Sequence, residues 1–410
     1  MIALDLSRLL SRAGRGTPTG IDRVELAFAE HLIAADDPVC FAAVVAGRRL
    51  GLVPDGAARK FVRAIGSAWR GARDAERQDR KVRQIARQVQ LALLAGRERA
   101  VTAQMRHDAS PPVYLLVSHH HLERHALIAR LKERGAARFV CLIHDLIPIE
   151  FPEYAKPGQA ENHRRRIETA ALLADALIVN SAVTGIAMQP YLDAVGRTPP
   201  VLVAPFGADL PPVGVGGPPP LARPYFVYVS TIEARKNHLL LLNLWRGLAT
   251  ELGDKAPKLV LVGQRGWETE NVVDMLDRSP GVRRTVIEHN TLPDSEMVRL
   301  LQGACAMLLP SFAEGFGFPL IEALQLGIPA LCSDIAALRE TGGAVPEYFD
   351  PLDGLGWRQA VLDYAAPGSP RRAAQLARLQ AWTPPRWDDY FVAVDRFIAK
   401  VAAPPVPGIS

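Results

Sequence analysis

Short apolar runs alternate with helical patterns on both sides of one Pro/Gly-rich break, and this constrains the fold more than any other feature. Before the break the runs fall at residues 2–6, 39–45, 113–117, 139–143, 176–179 and 201–204. After it they fall at 225–229, 258–262, 286–288, 306–309 and 330–332. Runs this short, separated by stretches of helical periodicity, read as buried strands joined by helices, hence βαβ units and mostly parallel sheets. The break, Pro-Pro-Val-Gly-Val-Gly-Gly-Pro-Pro-Pro at 211–220, combines proline stiffness with glycine freedom and reads as a linker. The expected organisation is an α/β domain over 1–212, a linker over 213–224, a second α/β domain over 225–385, and a C-terminal helix with a loose tail over 386–410. A chain of 410 residues is long enough for two such cores.

Composition removes several classes. No run reaches the length of uninterrupted apolar residues that a membrane-spanning helix needs, and the start, Met-Ile-Ala-Leu-Asp-Leu-Ser-Arg, reads as a strand rather than a signal peptide. The four cysteines (Cys40, Cys141, Cys305, Cys332) are scattered, and Cys141 and Cys305 lie within apolar runs as small hydrophobes. A reducing cytoplasm fits them. The net charge of +5 conceals an asymmetry: residues 59–106 carry thirteen Lys or Arg against four Asp or Glu. This block reads as helix with Val82, Ile85, Val89, Ala92 and Leu93 on its apolar side. Such a face suits an anionic membrane surface, a polyanionic acceptor, or simply solvent. Nucleic acid fits poorly, because the block has almost no aromatic residues to stack on bases. Residues 46–112 otherwise match no motif.

Two motifs carry the chemistry. In Pro310-Ser-Phe-Ala-Glu314-Gly-Phe-Gly-Phe-Pro-Leu-Ile-Glu322-Ala-Leu, two carboxylates flank a glycine-rich turn after an apolar run. Glu314 is expected on the loop at a strand's carboxyl end and Glu322 in the first turn of the helix beyond, where open α/β sheets bind ligands. Carboxylates there accept hydrogen bonds from sugar and ribose hydroxyls. In Val229-Ser-Thr231-Ile-Glu-Ala-Arg235-Lys236-Asn-His, adjacent cations precede a helix start. Arg offers a planar fork and Lys a point charge to a diphosphate, with the helix dipole in support.

The first of these resembles the Glu-x7-Glu signature of retaining glycosyltransferases of the two-Rossmann-domain (GT-B) architecture, family 4. The second resembles that family's Gly-Thr-x-x-x-Arg-Lys-Asn motif, with Ser230 where glycine is usual. Cys141-Leu-Ile-His144-Asp145-Leu-Ile-Pro resembles its His-Asp-Leu-Ile-Pro segment. The implied fold is two Rossmann-like domains facing a central cleft. The implied activity is transfer of a hexose from a nucleotide sugar to a hydroxyl of a saccharide, lipid-linked, in bacterial cell-surface polysaccharide assembly. GDP-mannose leads as donor because the motifs resemble those of polysaccharide mannosyltransferases. A UDP- or dTDP-sugar enzyme of the same fold, or a catalytically dead glycan-binding subunit, is the alternative.

By resemblance, Arg235 and Lys236 bind the diphosphate, Glu314 the donor sugar and Glu322 the ribose, while His144 faces the reacting centre. Gly20, Ser230, Thr231, Gly263, Asn290, Gly315, Phe316, Gly317 and Phe318 line the nucleotide-sugar site. Asp22, Arg23 and His119 meet the acceptor, although an ordinary capped helix start would equally account for Asp22 and Arg23. The two cations make a metal unnecessary, and no cofactor is expected beyond the donor. The protein is expected in the cytoplasm, peripheral at most on the inner face of the membrane.

Overall fold

The computed structural model describes residues 1–35, 38–45, 49–70, 75–95, 98–105, 111–208, 219–290 and 292–403. The chain divides into two compact units. The first comprises Met1–Ile149, Gly158–Phe206 and the C-terminal segment from Asp388; the second comprises Glu150–Pro157 and Gly207–Trp387. Most of the expected linker lies outside the described residues.

The first unit holds seven strands: β1 (Ile2–Asp5), β2 (Val39–Val45), β3 (Arg49–Val53), β4 (Val113–Leu116), β5 (Arg138–Ile143), β6 (Ala176–Val179) and β7 (Val201–Val203). Their order is β3-β2-β1-β4-β5-β6-β7. All neighbours run parallel except the β2–β3 pair. Sequence reading missed β3, an edge strand with Gly51 at its centre, where the apolar pattern breaks. Alternate residues of β4 and β5 serve opposite faces: Tyr114, Leu116, Phe139 and Cys141 join one core cluster with helix residues such as Ile128 and Ile167. Burial on both faces is why these strands read as continuous apolar runs. All four cysteines are buried free thiols.

The basic block is three helices rather than one: Asp55–Trp69, Ala75–Ala95 and Glu98–Met105. In the middle helix Val82, Ile85, Ala86, Val89 and Leu93 are buried, while Ala92, expected inside, is exposed and Ala86 takes its place. Arg77, Arg80, Lys81 and Arg87 lie on the exposed side. These helices also clamp the loop before helix Gly20–Ala34: Trp69 Nε1 donates to the Arg15 carbonyl at 2.8 Å and Arg83 to the Gly14 carbonyl at 3.1 Å. The last helix, Trp387–Ala402, packs in this unit through Tyr390 and Phe391, edge-on to Phe28 at 5.7 and 5.2 Å. Among the described residues, no helix is long and apolar enough to cross a membrane.

The second unit holds β8 (Tyr225–Val229), β9 (Lys258–Val262), β10 (Val286–His289), β11 (Met307–Leu309), β12 (Ala330–Ser333) and β13 (Glu347–Phe349). The order β10-β9-β8-β11-β12-β13 is wholly parallel. This is the doubly wound order in which the chain reverses direction across the sheet between its first and fourth strands, here β8 and β11. Period-2 alternation sorts Tyr225, Val227 and Leu309 to one face, and Phe226, Tyr228 and Leu308 to the other with Trp245 and Trp357. The loops leaving β8 and β11 at their carboxyl ends carry the two motifs.

Candidate active site

Arg235 and Lys236 stand in a short 3₁₀ turn, Ala234–Lys236, ahead of helix His238–Leu252. Asn237 takes left-handed backbone (φ 55°) between the two, and its side-chain amide donates to the carbonyls of Pro310 at 3.1 Å and Pro351 at 2.9 Å. The turn is thus fastened to the start of the loop after β11. Phe312 N–H donates to the Arg235 carbonyl at 2.8 Å, and Arg235 Nη1 donates to the Ala313 carbonyl at 2.8 Å. Tyr228 O–H, buried beneath, donates to the Lys236 carbonyl at 2.8 Å.

These bonds bring one carboxylate onto both cations. Lys236 Nζ lies 2.5 Å from Glu314 Oε1 and Arg235 Nη1 lies 3.2 Å from Oε2. The Ser311 hydroxyl donates to Oε1 at 2.7 Å, and Arg235 Nε pairs with Glu233 at 2.7 Å. The Glu314 side chain is only 7% exposed. Burial pushes its carboxyl up, but Lys236 and then Arg235 outweigh this and hold it at about 2. Burial and Arg235 push the Lys236 ammonium down while Glu314 holds it up, with a net lowering. The ensemble is a desolvated, hydrogen-bonded ion cluster beside a helix N-terminus. An incoming anion could take over these cations from Glu314.

The glycines have specific reasons. A Cβ on Gly263 would lie 1.9 Å from the Ser230 carbonyl, so the loops after β8 and β9 can press together only without a side chain there. Gly317 (φ 91°) caps helix Phe318–Gln325, and a Cβ would meet Leu338 at 2.7 Å. Because that helix begins at Phe318, Glu322 falls in its second turn, not its first; it is buried. Phe316 is buried and packs edge-on to Phe318 at 5.3 Å, with Gly315 between Glu314 and this pair. Ser230, where the resembled motif has glycine, places its hydroxyl 3.2 Å from His238 Nε2. Thr231 is exposed on the same loop, and Asn290 is exposed just past β10; Thr291 lies outside the described residues.

In the first unit, His144 directly follows β5 and is 4% exposed. Its Nε2 lies 2.8 Å from the Val117 carbonyl, which can only accept, so Nε2 carries the proton and Nδ1 is an acceptor. Its backbone N–H donates to His119 Nε2 at 3.1 Å, and Asn180 donates to its carbonyl at 2.8 Å. His119 is therefore tied to His144 rather than presented outward, with its ring 4.8 Å from that of His163. Burial pushes His144 down to about 4 and His119 well below the usual histidine range. His144 is thus a neutral hydrogen-bonding group near pH 7. A depressed histidine supports stability fully above about 6.5 and loses it as pH falls through about 4. His144→Asn should therefore cost more stability relative to wild type at pH 7 than at pH 5, read from urea midpoints; an equal loss would contradict the neutral assignment.

Gly20 opens helix Gly20–Ala34, whose N-cap is Thr19, and buried Asp22 is the other half of the capping box: Oδ2 accepts from Thr19 N–H at 2.8 Å. Oδ1 accepts from Arg8 at 2.5 Å and Arg12 at 3.3 Å. Asp22 is therefore an internal cap and ion-pair partner, with Arg23 following on the same turn. Sequence reading missed Arg8, Glu233 and Ser311; Glu233 and Ser311 both sat within quoted motifs, two residues before Arg235 and three before Glu314, whereas Arg8 did not.

The two units, each a Rossmann-like sheet, give this chain the GT-B glycosyltransferase fold. Sucrose-phosphate synthase from Thermosynechococcus elongatus superposes with a TM-score of 0.63 at 16% identity, over 98% of both chains. Anabaena HepE in complex with UDP gives 0.61 at 15% identity, over 97% of this chain and 99% of that one. Residues 217–343, within the second unit, match the family model described as glycosyl transferases group 1. The serotype-specific mannosyltransferase WbdA of Escherichia coli is 29% identical over 250 residues, 57% of this chain and 30% of WbdA. The O-antigen chain mannosyltransferase B of Escherichia coli is 36% identical over 130 residues, 32% of this chain and 33% of that protein. The match thus spans about a third of the length of these curated relatives.

Proposed function

We propose that this chain transfers a hexose from a nucleotide sugar to a hydroxyl of a saccharide acceptor, with retention of anomeric configuration. The observation that carries the reading is the Arg235–Lys236–Glu314 cluster at the switch point of the second sheet. A nucleoside diphosphate arriving there would replace Glu314 as counter-ion to both cations. The freed carboxylate, kept ionised by its low pKa, would accept hydrogen bonds from the sugar hydroxyls. As the anomeric carbon–oxygen bond to phosphate breaks, negative charge grows on the diphosphate where Arg235 and Lys236 already stand. The acceptor oxygen bonds to the same face of the anomeric carbon, and its proton passes to the departing phosphate oxygen. Two cations perform the neutralisation that a chelated metal performs elsewhere. His144, neutral, would offer Nδ1 as an acceptor to a donor-sugar hydroxyl.

Mannose is the sugar favoured by the mannosyltransferase relatives, and GDP-mannose is the donor that the motif resemblance suggests; UDP-sugars come second because HepE, of the same fold, was solved with UDP. A lipid-linked acceptor would suit the exposed Arg77, Arg80, Lys81 and Arg87. Incubation with GDP-, UDP- and dTDP-hexoses, with the product anomer read by NMR, tests the reading. Transfer with retention from one donor supports it. Inversion, or nucleotide binding without transfer to any saccharide, would contradict it.

A further inference from the structure

Residues Glu150–Pro157 leave the first unit at Ile149, join the second, and return at Gly158. The segment begins six residues after His144 and contains a 3₁₀ turn, Pro152–Tyr154. Pro152 and Pro157, on either side of Tyr154 and Lys156, restrict the backbone, so these side chains are held out at little entropic cost. Tyr154 stacks on Phe312, ring centroids 5.6 Å apart and planes 10° from parallel. Phe151 stacks behind Tyr154 at 6.2 Å. Lys156 Nζ lies 4.7 Å from the centre of the Trp267 ring.

Both targets belong to the loops that flank the Arg235–Lys236 turn. Phe312 stands two residues before Glu314, and its N–H holds the Arg235 carbonyl. Trp267 follows Gly266, whose N–H donates to the Ile232 carbonyl at 2.8 Å on the loop after β8. The stack is the stronger contact: an aromatic pair outweighs a cation over a ring when, as here, the lysine is exposed.

We propose that Glu150–Pro157 is a strap that positions the donor loops, with Tyr154 the positioning residue that fixes Phe312 and through it the Arg235–Glu314 pair. The proposal rests on the donor-site reading above, but its structural half does not. Tyr154→Ala should speed amide deuterium exchange at Phe312–Glu314 in the ligand-free protein. It should also weaken binding of the preferred nucleoside diphosphate about tenfold, with the acceptor KM unchanged. Tyr154→Phe, which keeps the stack, should restore both. Phe312→Leu removes the stack from the other side and should reproduce the exchange effect if Tyr154→Ala folds poorly. Unchanged exchange in Tyr154→Ala, or equal defects in the Ala and Phe variants, would overturn the strap. Exchange is read without ligand, so failure of the wild-type protein to bind any nucleotide would sink the donor-site reading and leave the exchange result to judge the strap.

Discussion

Lys236→Ala should lower turnover about 10²–10³-fold with the protein still folded, the scale seen when one preorganised charge stabiliser is removed from a transition state. The fold should survive because Glu314 keeps Arg235 at 3.2 Å and Ser311 at 2.7 Å when the ammonium is gone. Its carboxylate is then less fully compensated, so a stability loss of about 1–3 kcal/mol should accompany the activity loss. Arg235, already engaged with Glu233, the Ala313 carbonyl and Glu314, then leaves the diphosphate one cation where it had two. Circular dichroism separates the two effects. A variant that is folded and turns over like wild type would remove Lys236 from the reaction.

The second large effect lies in the other unit and runs in the opposite direction. Glu25→Gln should stabilise the protein at alkaline pH. Glu25 is fully buried on helix Gly20–Ala34, with Oε1 accepting from Leu9 N–H at 2.9 Å. The Leu9 N–H and the Ser118 hydroxyl beside it favour the ionised carboxylate, but not enough to offset its burial. Burial, and then the charge of buried Asp5, push its carboxyl up to about 8. A group raised this way supports stability fully below its ordinary value of about 4.5, and that support is lost as pH rises through about 8. Glutamine is neutral, nearly isosteric, and keeps an oxygen for Leu9. The gain at about pH 8.5 should be about 2–4 kcal/mol, and the variant's stability should be flatter than wild type's between about pH 4.5 and 8. Urea midpoints at both ends of that range measure it. A variant less stable than wild type at alkaline pH would show that Glu25 is ionised and paired.

The sheets were legible because burial on both faces leaves β5, β8 and β9 nearly free of polar residues. The missed strands are edges: β3 runs antiparallel around Gly51, and β13 is half-buried throughout. Helical periodicity in the basic block was visible, but its division was not, although Gly71 and Gly96 punctuate the sequence there. At the site, Arg235, Lys236 and Glu314 could be picked out one by one from their motifs. Their mutual ion cluster could not, because it joins positions 78 and 79 residues apart that only the β8–β11 adjacency brings together. The strap was unreadable for the same reason: nothing local tells a tyrosine near His144 that its partner ring is Phe312. Glu25 carries no signal within its own helix sequence, and only packing shows it facing inward.

Calorimetric titration of GDP, UDP and dTDP into the wild-type protein and Lys236→Ala tests the diphosphate assignment most directly. We predict that one diphosphate binds the wild type with a clear preference, and that Lys236→Ala weakens it at least about tenfold, as loss of a charge-assisted contact requires. Equal affinity in both proteins, or no binding of any diphosphate to the wild type, would contradict it.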